Sequence, residues 1–160
     1  MHHIEHSNVT HVPVDECFSY VEKMENMPLW MYGMLEARPV GTQSRGLGTI
    51  VDMTMKLGPI KFAMRGAIEE YVENVVVTVA PKSTLISGRG SFRFAPTDEG
   101  GTRLSVSVDY EIGGGLAGRA LAKVIDAVID TAIGYSEDKL LAQLADFHAG
   151  WSDSVKTPRA

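Results

Sequence analysis

Thr102-Arg103-Leu104-Ser105-Val106-Ser107-Val108-Asp109-Tyr110-Glu111-Ile112 decides how this chain folds. Leu104, Val106, Val108, Tyr110 and Ile112 alternate with Arg103, Ser105, Ser107, Asp109 and Glu111, the period-two pattern of a strand with one buried and one wet face. Gly113-Gly114-Gly115 follows at once, and beyond it lie more than 30 residues without proline. Strands come before the glycines, and one long helix comes after them.

Working backward from Thr102, the same alternation returns. Asp98-Glu99-Gly100-Gly101 is a turn, and Thr84–Ala95 places Ile86, Gly88, Gly90, Phe92 and Phe94 on one face. Val75–Val79 is a β-branched run that we expect Pro81 to end. Ile60–Tyr71 sets Ile60, Phe62, Met64, Gly66 and Ile68 opposite Lys61, Arg65 and Glu69. Across a Gly58-Pro59 turn, Ile50–Leu57 presents Val51, Met53, Met55 and Leu57. Met34–Val40 and His2–Val12 are two further strands. Between those two, Val14, Cys17, Phe18 and Val21 recur at helical spacing, and Asn26 is placed to cap a second short helix reaching Trp30.

In the C-terminal helix, Leu121, Val124, Ile125, Val128 and Ala132 form an apolar stripe opposite Arg119, Lys123, Asp126, Asp130 and Glu137. After Gly134 the stripe shifts to Ile133, Ser136, Leu140, Leu144 and Phe147, so the two halves face different surroundings. Glycine costs a helix about 1 kcal/mol against alanine, and Gly134 therefore predicts a bend or a close approach. At ~1.5 Å per residue the helix approaches 50 Å, longer than a ten-residue strand at ~33 Å.

The bulk numbers suit one globular domain. The 160 residues are 44% hydrophobic and 22% charged, and no apolar run reaches the ~18 residues of a membrane span. The opening MHHIEHSNVT does not read as a secretory signal, so a cytoplasmic location is expected. A net charge of -5 without a dense basic cluster excludes nucleic acid as an expected partner. Cys17, the single cysteine, cannot form an internal disulfide. Whether the chain forms a homodimer is open.

The order of strand, two short helices, six-strand meander and long helix resembles the helix-grip fold of the START and polyketide cyclase superfamily, SRPBCC. Val12-Pro13-Val14-Asp15-Glu16-Cys17-Phe18 is similar to that family's "APpeeVF" start of the first helix. Glu25-Asn26-Met27-Pro28-Leu29-Trp30 resembles its "pEnlPeW", Gly46-Leu47-Gly48-Thr49 its "GvGt", and Gly100-Gly101-Thr102-Arg103 its "GgTrl". The likeness covers His2 to Phe147. It implies an α+β fold, a seven-stranded curved antiparallel sheet around a long helix, as one domain over residues 1–148. Residues 149–160, polar and aperiodic, are expected to be a disordered tail. The resemblance also implies a cavity that binds lipids, hormones or polyketides, or in which cyclisation and dehydration occur without a cofactor.

The residues themselves say what such a cavity would hold. On the inner face, Phe62, Met64, Phe92 and Phe94 mix with Gly66, Gly88 and Gly90, which leave volume vacant. Met53, Met55 and Met64 are adaptable and suit a variable apolar site, although methionines also fill irregular cores. Val106, Val108, Ile125, Val128 and Ala132 complete the expected ligand-binding walls, with Trp30 at the open end as a gate or as packing against the helix.

Strand one has no apolar inner register: either Ile4, His6, Asn8 and Thr10 point in, or His3, Glu5, Ser7, Val9 and His11 do. In a cavity His6 and Asn8 would orient a ligand's oxygen atoms or act as acid and base, and at an edge or mouth they would simply meet water. They are candidate catalytic residues beside Tyr110, which can donate to a bound carbonyl or simply pack. At ~3.3 Å per strand residue His2 and His6 lie about 13 Å apart, too far for ligands each ~2 Å from one zinc, and no metal is expected. Arg65 and Arg89 alternate outward, so the arginine that anchors the chain in some aromatase/cyclases does not carry over. Cys17 reads as a small buried hydrophobe. Binding of a hydrophobic small molecule such as a lipid, polyketide or isoprenoid leads. The alternatives are a cyclase/dehydratase using His6, Asn8 or Tyr110 for proton transfer, and an accessory protein without an open cavity.

Overall fold

In a computed structural model the chain forms β1 (His2–Thr10), α1 (Val14–Val21), a 3₁₀ helix (Met24–Leu29), β2 (Met34–Val40), β3 (Ile50–Leu57) and β4 (Ile60–Val72). There follow β5 (Val76–Lys82), β6 (Ile86–Pro96), β7 (Thr102–Ile112) and α2 (Gly115–Lys156). The structure describes residues 1–156, with side chains through Trp151. The seven strands make one antiparallel sheet in the order β1-β7-β6-β5-β4-β3-β2. Strands β2 to β7 are a continuous meander, and β1 returns to pair with β7 from His2 opposite Tyr110 to Thr10 opposite Thr102. This is the helix-grip arrangement.

Helix α2 runs alongside β1 in the same direction, as one charge effect and two contacts along the seam show. Asp126 acts on Tyr110, the cross-strand partner of His2. Glu137 Oε1 lies 2.6 Å from His6 Nδ1, and His148 meets His11 edge-on with ring centroids 5.4 Å apart. Five strand residues at ~3.3 Å and eleven helix residues at ~1.5 Å each advance about 16 Å. The spacing of the last two contacts, His6 to His11 and Glu137 to His148, matches that ratio.

The far end of α2 is tied to α1. His148 Nδ1 lies 2.7 Å from the buried Glu16 carboxylate, and Tyr20 Oη donates to Gln143 Oε1 at 3.0 Å. Phe18, buried beneath α1, meets Phe94 at 5.3 Å and Tyr71 at 5.5 Å between centroids. At the C-terminal end of α1, the buried Glu22 carboxylate accepts from Tyr71 Oη at 2.7 Å, and Arg45 Nε reaches its other oxygen at 3.1 Å. A carboxylate withdrawn from water needs such partners, and these join α1 to β4 and the β2–β3 loop.

Several expectations are corrected. β5 does not stop before Pro81 but continues to Lys82. Pro81 is opposite Gly66 of β4, while the β5–β6 pairing skips from Val79 to Lys82, so the missing N–H falls where the ladder is already interrupted. Asn26 lies inside the 3₁₀ helix rather than at its start, and its Nδ2 donates to Tyr20 O at 2.9 Å, satisfying a carbonyl at the end of α1. Gly134 is not a close approach, since nothing stands within 4 Å of where its Cβ would be, and α2 runs through it without a break. Helix α2 also continues through 149–156, the first part of the expected tail. Residues 157–160 of that tail lie outside the described residues.

Candidate functional site

Between the inner face of the sheet and α2 lies a cavity of about 320 Å³. Strands put side chains into it by alternation: Met53, Met55 and Leu57 from β3, Phe62 and Met64 from β4, Phe92 from β6, and Val106, Val108 and Tyr110 from β7. α2 closes it with Ile125, Val128, Ala132 and Leu140. The deep wall is shielded from solvent, with Trp30, Met53, Phe62, Phe92 and Leu140 all buried. Along β1 and the middle of α2 the lining is half-exposed.

Thirteen of the fourteen residues expected around a ligand border this cavity; Phe94 does not. It belongs to the aromatic group under α1, because α1 covers that end of the sheet and takes the space. The three glycines separate. At Gly90 a Cβ would meet nothing within 4 Å, so this position leaves open volume. At Gly88 it would stand 2.7 Å from Asp109 O, and at Gly66 3.0 Å from Ala80 O, so these two glycines admit a neighbouring backbone rather than a void.

Trp30 is the clearest relocation. It is 3% exposed and meets Phe92 edge-on at 5.8 Å, so it is a deep wall and not a gate. Its indole N–H has no hydrogen-bond partner among the described residues.

The register of β1 is settled: Ile4, His6 and Asn8 line the cavity and Thr10 is buried, while His3 pairs outward with Asp109 at 2.6 Å. His6, Asn8 and Tyr110 all reach the cavity, yet they do not form one constellation. Tyr110 is opposite His2, and His6 is opposite Val106, a separation of about 13 Å along the strands. His6 and Asn8 are one pleat apart.

The residue missed is Glu137. It lines the cavity and contacts His6 across the seam. Its place on the polar face held only for the stripe ahead of Gly134. After the shift, Glu137 is four residues past Ile133 and three before Leu140, which puts it inward. Met27, Met31 and Met34, also unforeseen, bring the methionines on the cavity wall to six.

Outside the cavity, Arg65 forms a two-point pair with Asp52, Nε to Oδ1 at 2.6 Å and Nη2 to Oδ2 at 3.0 Å. Arg89 borders the cavity but turns its guanidinium away, to within 3.8 Å of Glu69. The bulge that bends β4 falls between Ile68 and Glu70, where it turns neither arginine inward. Cys17 is fully buried, and desolvation holds its thiol above the ordinary range, as expected of an inert core cysteine.

With this geometry in view, the sequence matches the family model described as "Polyketide cyclase / dehydrase and lipid transport" over residues 1–145. The chain belongs to that family. Solved structures with the same fold include the Zhui aromatase/cyclase from Streptomyces sp. R1128, at 11% identity and TM-score 0.74, covering 90% of this chain and 93% of that one. A START superfamily protein from Mycobacterium smegmatis matches at 13% identity and TM-score 0.71, covering 91% and 99%. TTHA0849 from Thermus thermophilus matches at 15% identity and TM-score 0.73, covering 91% and 98%. No curated protein matches the chain significantly. At these identities the structural neighbours of this polyketide cyclase/dehydrase and lipid transport family member establish its fold. No helix among the described residues is long and apolar enough to cross a membrane.

The Tyr110 phenol is held above its ordinary value, first by burial and then by the Asp126 charge. Burial likewise raises Tyr20 and Tyr71. In the unfolded chain these groups ionise near 10, whereas the folded chain keeps their protons. Their contribution is therefore intact below pH ~10 and lost as pH rises toward the folded values. The midpoint of thermal unfolding, followed from about pH 9 to 11, should fall across this window, and Tyr110→Phe should flatten the fall.

Proposed function

We propose that the protein binds an apolar small molecule, of the lipid, polyketide or isoprenoid kind, in the cavity between sheet and α2. The observation that carries this reading is the cavity itself: about 320 Å³ walled almost wholly by apolar side chains, at the lower end of the ~300–1,000 Å³ usual for ligand sites. The open volume at Gly90 supports it further, because a strand interior otherwise favours a side chain that packs. Both halves of the family description, cyclase/dehydrase and lipid transport, require such a container. The accessory reading, which needs a filled interior, has no comparable support.

The neutral dye Nile red tests the proposal. Saturable one-to-one binding with a blue-shifted emission, competed by other apolar molecules, is the expected result. A linear, unsaturable response would overturn it.

A catalytic reading has one observation in its favour, the contact of His6 with Glu137 in the cavity wall beside Asn8. A carboxylate orients an imidazole for proton transfer. Tyr110, about 13 Å away along the strands, would act on a different part of the same substrate. A His6→Ala variant that binds but no longer transforms a candidate substrate would select this reading; unchanged turnover would remove it.

A further inference from the structure

We infer that the molecule held in the cavity is neutral and carries a hydroxyl, which Glu137, His6 and Asn8 recognise at the seam between β1 and α2. This rests on the cavity being a binding site. Four residues that can carry charge border the cavity: His6, Arg89, Asp109 and Glu137. Arg89 and Asp109 turn to partners on the outer face, Glu69 and His3. Of these four, His6 and Glu137 remain for a ligand, and they touch each other at 2.6 Å through Nδ1 and Oε1.

What these groups lack defines what they take. The second Glu137 oxygen has no partner among the described residues, and a carboxylate only accepts, so a ligand group that replaces water there must donate to it. Asn8, one pleat from His6 on the same inner face, makes no side-chain hydrogen bond among the described residues, and its amide offers both donors and an acceptor. A hydroxyl donates to the one and accepts from the other. An ether or ketone cannot donate, and a ligand carboxylate would meet Glu137 with like charge.

Calorimetric titration of the full chain at about pH 7 with β-naphthol, methyl β-naphthyl ether, β-naphthoate and β-naphthylmethylammonium separates the possibilities. β-Naphthol should bind about tenfold more tightly than the ether, the scale of one hydrogen bond to a charged group, and the naphthoate should bind more weakly than both. Glu137→Leu, and independently Asn8→Leu, should bring the naphthol-to-ether ratio near one; Glu137→Leu should also admit the naphthoate. Equal binding of naphthol and ether by the unaltered protein, or a ratio that survives both substitutions, would overturn the hydroxyl assignment. Tightest binding of the ammonium probe would replace it with a cation. Failure of all four probes to bind would instead count against the cavity as a binding site.

Discussion

Gly90→Phe should abolish ligand uptake, by at least about a hundredfold in affinity, while the protein keeps or gains thermal stability. Gly90 sits on the inner face of β6 between Val79 of β5 and Val108 of β7. A Cβ there meets nothing within 4 Å, and the backbone is not in the left-handed region. A side chain there therefore starts into open volume, and a phenyl ring fills the cavity and adds apolar burial, worth ~25 cal/mol per Å². Gly88 is the contrast, two residues along the same face. Its Cβ would stand 2.7 Å from Asp109 O, so even Gly88→Ala should destabilise the fold. Binding isotherms and melting curves of both variants read this out. A Gly90→Phe protein that still takes up ligand at full affinity would mean that the ligand is held elsewhere.

Phe18→Ala should cost about 3–5 kcal/mol of folding stability, the range for a large buried aromatic. Phe18 is 2% exposed and edge-on to both Phe94 and Tyr71. It joins α1 to the sheet through these rings, and α1 in turn holds the end of α2 through Glu16 and Tyr20. A domain of this size loses roughly 2–4 °C of melting temperature per kcal/mol, so a fall of at least about 6 °C is expected by calorimetry. A fall under about 2 °C would show that α1 is not anchored by this residue.

The strands were readable because each has one wet face. The alternation of Thr102–Ile112 and Ile50–Leu57 matches β7 and β3 residue for residue. Where one residue has two plausible functions, the reading was incomplete. Pro81 looks like a terminator, yet it sits where one ladder is already broken. Phe94 shares a face with Phe92, but α1 takes its end of the sheet, and no strand pattern reports which helix covers which end. Trp30 reads equally as a gate or as packing, because its position along the chain says nothing of depth.

Glu137 illustrates the site most directly. The stripe shift after Gly134 already carried the information that it turns inward, but a charged residue aligned with Asp126 and Asp130 is more easily taken for part of the solvated face. The pairing of His6 with Glu137 depends on how α2 is registered against β1, a tertiary relation that neither segment encodes alone. For the same reason the distance of Tyr110 from His6 followed only from the β1–β7 register.

Of the eight methionines in the chain, Met27, Met31, Met34, Met53, Met55 and Met64 line the cavity, whereas Met1 is exposed and Met24 is buried away from it. Methyl NMR of ¹³C-methionine-labelled protein titrated with β-naphthol therefore examines the cavity and its surroundings together. Intermolecular Overhauser contacts from the bound naphthol to the Met53, Met55 and Met64 methyls, with Met1 and Met24 unaffected, are the predicted result. Contacts to Met1 alone, or saturable binding that leaves the cavity methyls unchanged, would contradict the account.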